Sequence, residues 1–245
     1  GAASGLRALD IGVRSLQQKE TDLFLAGAVD LTGDVRNMVI ASGIRPFGRL
    51  GNTHPFDQTA DGTLPGEGAV ALLLKRRDRA EADGDRIYAV IKGIGASSDG
   101  KGKAIAAPNP AGQALALERC YDSMRRPVDF SDIDYIEAHG TSTIAGDQAE
   151  IETLKKVYQS DKPIGISSVK SQIGHLLGGA GYAGMIKAIL AINHQTLPPN
   201  GRFEKLAPAH AIADSPLYII EEAREWRVEG DRPRLAAVSS YGFGG

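Results

Sequence analysis

The sequence has almost no cysteine and no long apolar run. Cys120 is the single cysteine in 245 residues, so no disulfide can form within the chain, which fits a reducing compartment. No apolar stretch approaches the roughly 20 residues that a membrane-spanning helix needs. The first residues also lack the basic-then-apolar pattern of a secretory signal. We therefore expect a cytoplasmic protein that has no membrane partner.

An excess of positive charge is also missing. The chain carries 28 basic and 30 acidic residues, for a formal net charge of −2. A charge so close to zero gives no electrostatic reason to expect nucleic acid or an anionic membrane as a partner. Hydrophobic residues make up 42% of the chain and charged residues 24%, which is typical of a globular protein with a substantial core.

Apolar patterns along the chain alternate between helical and strand types. Helical spacing covers 5–18, and 23–29 is a continuous apolar run typical of a strand buried on both faces. Residues 30–68 are irregular, with one helical piece. Further strands are predicted at 69–75, 87–95, 134–138, 164–168, 217–221 and 235–240, and further helices at 111–125, 147–158 and 180–194. Alternating strands and helices favour a layered α/β fold.

Polar residues with chemical potential follow two of these strands. Lys170 and His175 lie in the stretch 167–184, where small residues indicate close packing, so both side chains are expected to be buried. His139 directly follows the strand predicted at 134–138. Since the carboxyl ends of strands in an α/β sheet form binding sites, we expect these three side chains to meet in one pocket. The Gly-Phe-Gly-Gly loop at 242–245 follows another strand end.

Several chemistries fit such a set unequally. A metal site would use His139, His175 and Asp147, but the ligand spacing is not tight and a nearby lysine would repel a cation. Residues 93–98 lack the third glycine of a dinucleotide loop, and Ser240 lacks the nucleophile-elbow pattern of hydrolases. Cys120 falls in a helical pattern that predicts an inert thiol. Acyl-transfer or carbanion chemistry, with neutral imidazoles as hydrogen-bond donors, remains.

Four segments of the sequence resemble motifs of the β-ketoacyl synthases, and they occur in the same order along the chain as in that family. Residues 139–150, His-Gly-Thr-Ser-Thr-Ile-Ala-Gly-Asp-Gln-Ala-Glu, are similar to their HGTGTxxGDxxE motif, and 170–175 match KxxxGH. Residues 55–68 fit PFDxxxDGxxxGEG, and 241–245 resemble the family's glycine-rich gating loop. Ser-Ser-Asp-Gly at 97–100 and Ala-Pro-Asn at 107–109 resemble the polyketide synthase branch.

The resemblance implies a fold. The family has a thiolase-like α/β fold, layered αβαβα when complete, and this chain is expected to cover mainly its C-terminal half. Residues 1–95 would be the end of the N-terminal half with connecting loop and strands, and 96–245 the C-terminal half.

The resemblance also implies residue roles. His139 and His175 would polarise a malonyl thioester, and Lys170, paired with Glu150, would orient them. The residues expected to hold the substrate and its phosphopantetheine arm, or to form the gate, are Thr141, Thr143, Gly242 and Phe243. Asp147 would support the site with Glu150, and no metal is expected.

The implied reaction is a decarboxylative Claisen condensation between an acyl group and a malonyl-carrier thioester. No cofactor would bind directly, because 4′-phosphopantetheine arrives on an acyl carrier protein. The partners implied are this carrier protein and a second copy in a homodimer, or a chain-length factor in a heterodimer.

Two positions depart from the family pattern. Ala2 stands where the nucleophilic cysteine is expected, and alanine cannot be acylated, so the chain as written should not condense. A replaced cysteine, an alignment shifted by one residue and a naturally non-acylating partner subunit each explain this. Chain-length-factor-like partners usually lose the histidines as well, so the retained His139 and His175 favour the enzyme. Ser142 replaces the usual glycine.

Overall fold

The computed structural model describes residues 1–31, 33–43, 47–49, 51–101, 104 and 106–243. Its helices are α1 (Ser4–Gln17), α2 (Val35–Ser42), α3 (Arg77–Ala82), α4 (Pro110–Asp122), α5 (Ile144–Val157), α6 (Lys170–Ile173) and α7 (Ala180–His194). Its strands are β1 (Leu23–Asp30), β2 (Gly68–Lys75), β3 (Tyr135–Glu137), β4 (Ile164–Ser167), β5 (Thr196–Leu197), β6 (Leu217–Ile219), β7 (Arg224–Glu225) and β8 (Ala236–Val238). Short 3₁₀ turns occur at Phe130–Asp132, Leu177–Gly179 and Pro208–His210.

A parallel sheet organises the second part of the chain. Its described strands lie in the order β6-β4-β3-β8, with Tyr135 opposite Gly165 on one side and Ala236 on the other. One face packs α4 and α5 through an apolar cluster that includes Ile136 and Leu154, and the other packs α7 around Tyr135. Parallel strands covered on both faces are typical of α/β folds.

Helices α1 and α7 pack together between two sheets. Leu9 of α1, Ala26 of β1 and Tyr182 of α7 share one buried cluster beneath the antiparallel β1–β2 pair. The helices approach closely because glycine lies at the crossing: a Cβ added to Gly181 would lie 2.5 Å from Leu6 Cγ. The resulting order of layers is sheet, helices, sheet, helices, which confirms the predicted layered α/β architecture.

The expected burial of the first strand on both faces is wrong. Ala26 on the inner face is buried, but Leu25 on the outer face is 72% exposed and Leu73 opposite it on β2 is 68% exposed. A continuous apolar run predicts burial without specifying what covers each face, and the described residues place no element over this one.

The strand predicted at 87–95 is also wrong. This segment has no ladder partner among the described residues and instead packs against α4. A Cβ on Gly95 would lie 2.1 Å from the Ala116 carbonyl oxygen, and one on Gly93 would lie 2.5 Å from that of Cys120. The glycines therefore serve a close helix contact. Apolar residues report burial, whereas a strand also needs a partner for its backbone groups.

Local signals placed several elements correctly. The Asn109 side chain accepts a hydrogen bond from the Ala111 N–H at 3.1 Å and Pro110 occupies the first turn, so α4 starts where a capping residue followed by proline predicts. Helix α5 begins at Ile144, three residues before the prediction. In the described part of the chain, every helix is too short or too polar to span a bilayer.

Candidate active site

Three polar side chains meet at the carboxyl ends of β3 and β4. His139 follows β3 by two residues, and Lys170 opens α6 just after β4. The rings of His139 and His175 lie edge to face with centroids 5.4 Å apart, and Lys170 Nζ lies 3.3 Å from His139 Nδ1. All three residues are buried. The three side chains meet because neighbouring parallel strands end at the same edge. His139 and His175 line one cavity, whereas Lys170 contacts His139 without lining it.

Hydrogen bonds fix which nitrogen of each imidazole carries the proton. The backbone N–H of Leu177 donates to His175 Nδ1 at 3.0 Å, so the proton of neutral His175 is on Nε2. The Lys170 ammonium, bonded to the His139 carbonyl oxygen at 2.6 Å, faces His139 Nδ1 and assigns the proton of neutral His139 to Nε2 as well. Both rings are thus Nε2–H donors, as stabilisation of an enolate oxygen requires.

Burial and charge keep His139 neutral. Burial lowers the pKa of His139 well below its ordinary value, and the positive charge of Lys170 and the nearby His175 lower it further. Burial also lowers the pKa of Lys170 to about 8, while the carboxylates of Glu137 and Glu150 act in the opposite direction. At neutral pH the site therefore combines a neutral imidazole with a cationic lysine.

Glu150 acts on the backbone of the histidine loop. Its two oxygens accept hydrogen bonds from the N–H groups of His139 and Gly140, each at 2.8 Å. Lys170, expected to pair with Glu150, interacts with it through charge, since the carboxylate raises the pKa of the lysine, while each makes hydrogen bonds to His139 rather than to the other. Burial raises the pKa of Glu150, because a buried carboxylate is poorly solvated.

Asp147 ties the motif to the loop at 55–57. Its oxygens accept from the N–H groups of Phe56 at 2.7 Å and Ser142 at 3.0 Å. Ser142 has φ of +62°, a conformation that favours glycine and explains the glycine of the family motif. The Ser142 hydroxyl accepts from the His54 N–H at 3.0 Å. Asp147 therefore holds the loop at 55–57 to the turn that contains Ser142.

Ala2 lines the same cavity as the two histidines. It lies two residues before Ser4, the first residue of α1, and its carbonyl oxygen accepts from the Ser240 hydroxyl at 2.8 Å. A Cβ on Gly242 would lie 3.5 Å from the Ala2 nitrogen, so the loop before Phe243 packs on the start of α1. Backbone N–H groups at a helix start stabilise a thiolate, which a residue at position 2 would use. Phe243 is 53% exposed, and Gly244 and Gly245 lie outside the described residues.

The cavity has a volume of about 1970 Å³ and extends along the segment 89–99 and residues 233–243. Thr141 and Thr143 line it with hydroxyl oxygens 3.0 Å apart. Tyr241 packs edge to face on His139 at 5.5 Å, a contact that the sequence did not reveal. Asn200 was also missed: it accepts from the Ser168 N–H at 3.0 Å and donates to the Pro55 carbonyl at 2.9 Å.

Three other residues with polar side chains have contacts or burial typical of a structural role. Asp57 accepts from the N–H groups of Glu204 and Lys205 at 2.8 Å each and so ties its loop to the segment at 204–205. His210 is buried against Phe56, and its Nδ1 lies 3.2 Å from the Phe56 carbonyl oxygen. Burial raises the pKa of the Cys120 thiol to about 11, as expected for an inert thiol.

Comparisons with known proteins agree with this site. The protein-family sequence model "Beta-ketoacyl synthase, N-terminal domain" matches residues 1–80, and the family model "Beta-ketoacyl synthase, C-terminal domain" matches residues 88–204. The chain belongs to the β-ketoacyl synthase family. A mycocerosic acid synthase-like polyketide synthase of Mycobacterium tuberculosis is 39% identical over 244 residues, and a phthioceranic/hydroxyphthioceranic acid synthase of the same species is 38% identical over 244.

Solved ketosynthases share the fold. The ketosynthase from module 6 of the bacillaene synthase of Bacillus subtilis superposes with a TM-score of 0.95 at 36% identity, and an oxazolomycin ketosynthase domain of Streptomyces albus with 0.92 at 34%. These matches cover 99% of this chain and 44% and 43% of those chains. The two mycobacterial matches cover 99% of this chain, which spans only 12% and 11% of those proteins. The thiolase-like fold predicted from the motifs is thereby confirmed.

Proposed function

We propose that this chain is the histidine-bearing part of a polyketide synthase ketosynthase, an acyltransferase-type enzyme that carries out decarboxylative Claisen condensation. The observation that carries the proposal is the pair of Nε2–H donors on His139 and His175, fixed by Lys170 and the Leu177 N–H. Two Nε2–H donors on one cavity suit an oxygen that becomes negative during reaction. We also propose that residues 1–95 form the end of the N-terminal thiolase half with its connecting loop and strands, and that residues 96–245 form the C-terminal half.

The decarboxylation half of the reaction uses these donors directly. The thioester oxygen of a malonyl group accepts from both Nε2–H groups, the bond between the α carbon and the carboxylate breaks, and carbon dioxide leaves. The electron pair stays on the α carbon and delocalises onto the thioester oxygen as an enolate. The cationic Lys170 beside His139 stabilises this charge and disfavours a second positive charge on the imidazole.

The condensation half needs a nucleophile at position 2. A thiolate there would attack the acyl thioester of a carrier, releasing the carrier thiol. The enolate would then attack the enzyme-bound acyl carbonyl, form the new carbon–carbon bond and expel the thiolate. Ala2 has no group for this step. With alanine at this position the chain retains the residues for decarboxylation and lacks the one for acylation.

The substrate enters on a carrier arm in this proposal. Thr141 and Thr143 present hydroxyl groups to the cavity and suit the amide groups of 4′-phosphopantetheine. Gly242 and Phe243 lie beside Ala2, where a backbone N–H can face the acyl carbonyl. An acyl carrier protein as partner belongs to the same proposal, which the similarity to multidomain polyketide synthases supports. Association as a homodimer, or as a heterodimer with a chain-length factor, is also part of the proposal.

A carrier-loading experiment tests both halves. In the intact synthase domain that contains this chain, Ala2→Cys should become acylated by an acyl thioester, which intact-mass measurement detects. The alanine form should release carbon dioxide from a malonyl thioester, and His175→Ala should abolish that release. A domain that neither decarboxylates with Ala2 nor acylates after Ala2→Cys would refute the enzyme.

Position 2 itself favours one alternative. A chain-length-factor-like partner needs no nucleophile, which Ala2 satisfies. The alternative predicts no decarboxylation by the isolated domain and tight association with a cysteine-bearing ketosynthase. Co-purification with such a ketosynthase, without turnover, would establish it.

A further inference from the structure

A buried ion pair lies behind the site. The Glu137 carboxylate is 1% exposed and sits 3.0 Å from Lys187 Nζ, whose side chain is 10% exposed. Tyr135 donates to the same carboxylate, and Lys187 donates to the Ser167 hydroxyl at 2.8 Å. Buried charges of opposite sign on a strand and an apolar helix are expensive, so their presence calls for a physical explanation.

The pair is tied to the chain that bears the lysine. Glu137 Oε1 accepts from the Val169 N–H at 2.6 Å, and Val169 directly precedes Lys170. Glu137 is also two residues before His139, to which Lys170 donates at 2.6 Å. One carboxylate therefore connects both loops whose ends form the lysine–histidine contact. Neither Glu137 nor Lys187 lines the cavity, so any effect on reaction passes through other residues.

The fold leaves little freedom at this contact. A Cβ added to Gly184 of α7 would lie 2.9 Å from Glu137 Cγ, so the glycine makes space for the carboxylate. Lys187 follows one turn later on the same helix and reaches both Glu137 and Ser167, at the ends of β3 and β4. The helix is thereby locked to the two strand ends by charge as well as by packing.

We propose that Glu137, held by Lys187, is a positioning residue that sets the geometry and the charge of Lys170 against His139. The inference rests on the proposed function, because it gives the lysine–histidine contact a role in decarboxylation. Four further ionisable groups bear on Lys170: Asp147 and Glu150 of α5, Lys187 of α7 and His139. Removal of the Glu137 charge shifts this balance toward neutral Lys170.

Malonyl-thioester decarboxylation in the intact domain tests the assignment, since that step needs no nucleophile. We expect Glu137→Gln to lower kcat by about 10-fold or more while KM changes by less than about 3-fold. The alkaline limb of its pH profile should move to lower pH. Lys187→Arg keeps the positive charge and should stay close to the parent in kcat and pH profile. If Glu137→Gln does not fold, Lys187→Gln tests the same contact with the opposite sign: it removes a positive charge that lowers the pKa of Lys170, so the alkaline limb should move to higher pH, and an unmoved limb would reject the assignment.

Asp134→Asn is the matched control. Asp134 precedes the same strand at its other end and pairs with Arg232, so the variant also breaks a partly buried ion pair. It should lower the unfolding temperature but leave kcat and the pH profile unchanged. Equal kcat and pH profiles for Glu137→Gln and Asp134→Asn, whatever their unfolding temperatures, would overturn the assignment.

A second measurement separates this inference from the proposed function. The ¹⁵N signals of the His139 ring report its contact with Lys170 without turnover. Glu137→Gln should shift them and Asp134→Asn should not. If the wild-type domain fails to decarboxylate, the proposed function falls, and the ring signals alone decide the positioning role: unshifted signals reject it.

Discussion

His175 Nδ1 accepts a hydrogen bond from the backbone N–H of Leu177 at 3.0 Å, and this contact determines what the ring can do. With Nδ1 engaged as an acceptor, the neutral imidazole carries its proton on Nε2 and donates from there. A residue that supplies this donation only to a developing charge affects the chemical step more than the binding of substrate.

His175→Ala should therefore abolish malonyl decarboxylation while acylation of an Ala2→Cys domain stays detectable. Loss of one oxyanion donor costs about 100- to 1000-fold in kcat. Radiolabelled carbon dioxide release measures the first step and intact mass the second. His194→Ala, on an exposed residue of the same chain, is the control. Decarboxylation within threefold of the parent would contradict the role of His175.

The rate of decarboxylation should fall as pH rises through about 8. Burial lowers the pKa of Lys170 to about 8, so the ammonium that donates to His139 loses its proton above that pH. Protonation of His139 itself should cause no loss between pH 8 and 6, because its pKa lies well below its ordinary value and the ring stays neutral. A pH–rate profile measures this, and Lys170→Met should be slow with no such limb.

Glu150→Gln should destabilise the domain by about 1–3 kcal/mol. Both Glu150 oxygens accept buried backbone N–H groups, and glutamine offers only one oxygen, so the N–H of His139 or Gly140 loses its partner. Urea unfolding measures the change. Glu152→Gln, exposed on the same helix, should stay within about 0.5 kcal/mol of the parent. If the two variants had equal free energies of unfolding, the hydrogen bonds of Glu150 would not stabilise the histidine loop.

Gly181→Ala should destabilise the domain although alanine favours helices. The added Cβ would lie 2.5 Å from Leu6 Cγ, so α1 and α7 must move apart, at a cost of about 1–3 kcal/mol. Gly179→Ala is the matched control, because its Cβ would meet nothing closer than 3.5 Å. Urea unfolding should show a loss for the first variant alone. A gain in stability for Gly181→Ala would mean that the helices are not in close contact.

Ala2→Cys should react with iodoacetamide at neutral pH while Cys120 does not. Position 2 lies at the start of α1 on the cavity, where backbone N–H groups stabilise a thiolate, and the pKa of Cys120 is raised to about 11 by burial. Peptide mass mapping of the labelled protein distinguishes the two sites. The parent chain with Ala2 controls for labelling at Cys120, and preferential labelling there in the variant would contradict the placement of position 2.

The sequence by itself determined the family, the order of elements and the identity of the polar residues at the strand ends. Those signals are local: a motif such as that at 139–150 carries its own spacing, and the capping of α4 by Asn109 depends on neighbours in the chain. His139, Lys170 and His175 were placed together because parallel strands end at one edge.

Only the tertiary structure decided what each group contacts. Lys170 and Glu150, paired in the prediction from the resemblance, interact through charge, and each makes hydrogen bonds to the backbone of His139. The tautomers of His139 and His175 depend on the groups that contact their Nδ1 atoms, the Lys170 ammonium and the Leu177 N–H. The segment 87–95 packs on α4 and is not a strand, because no described strand lies beside it. Hydrogen bonds between residues distant in the sequence produce no periodic sequence pattern. Which groups become partners is therefore decided by the packing of the folded chain.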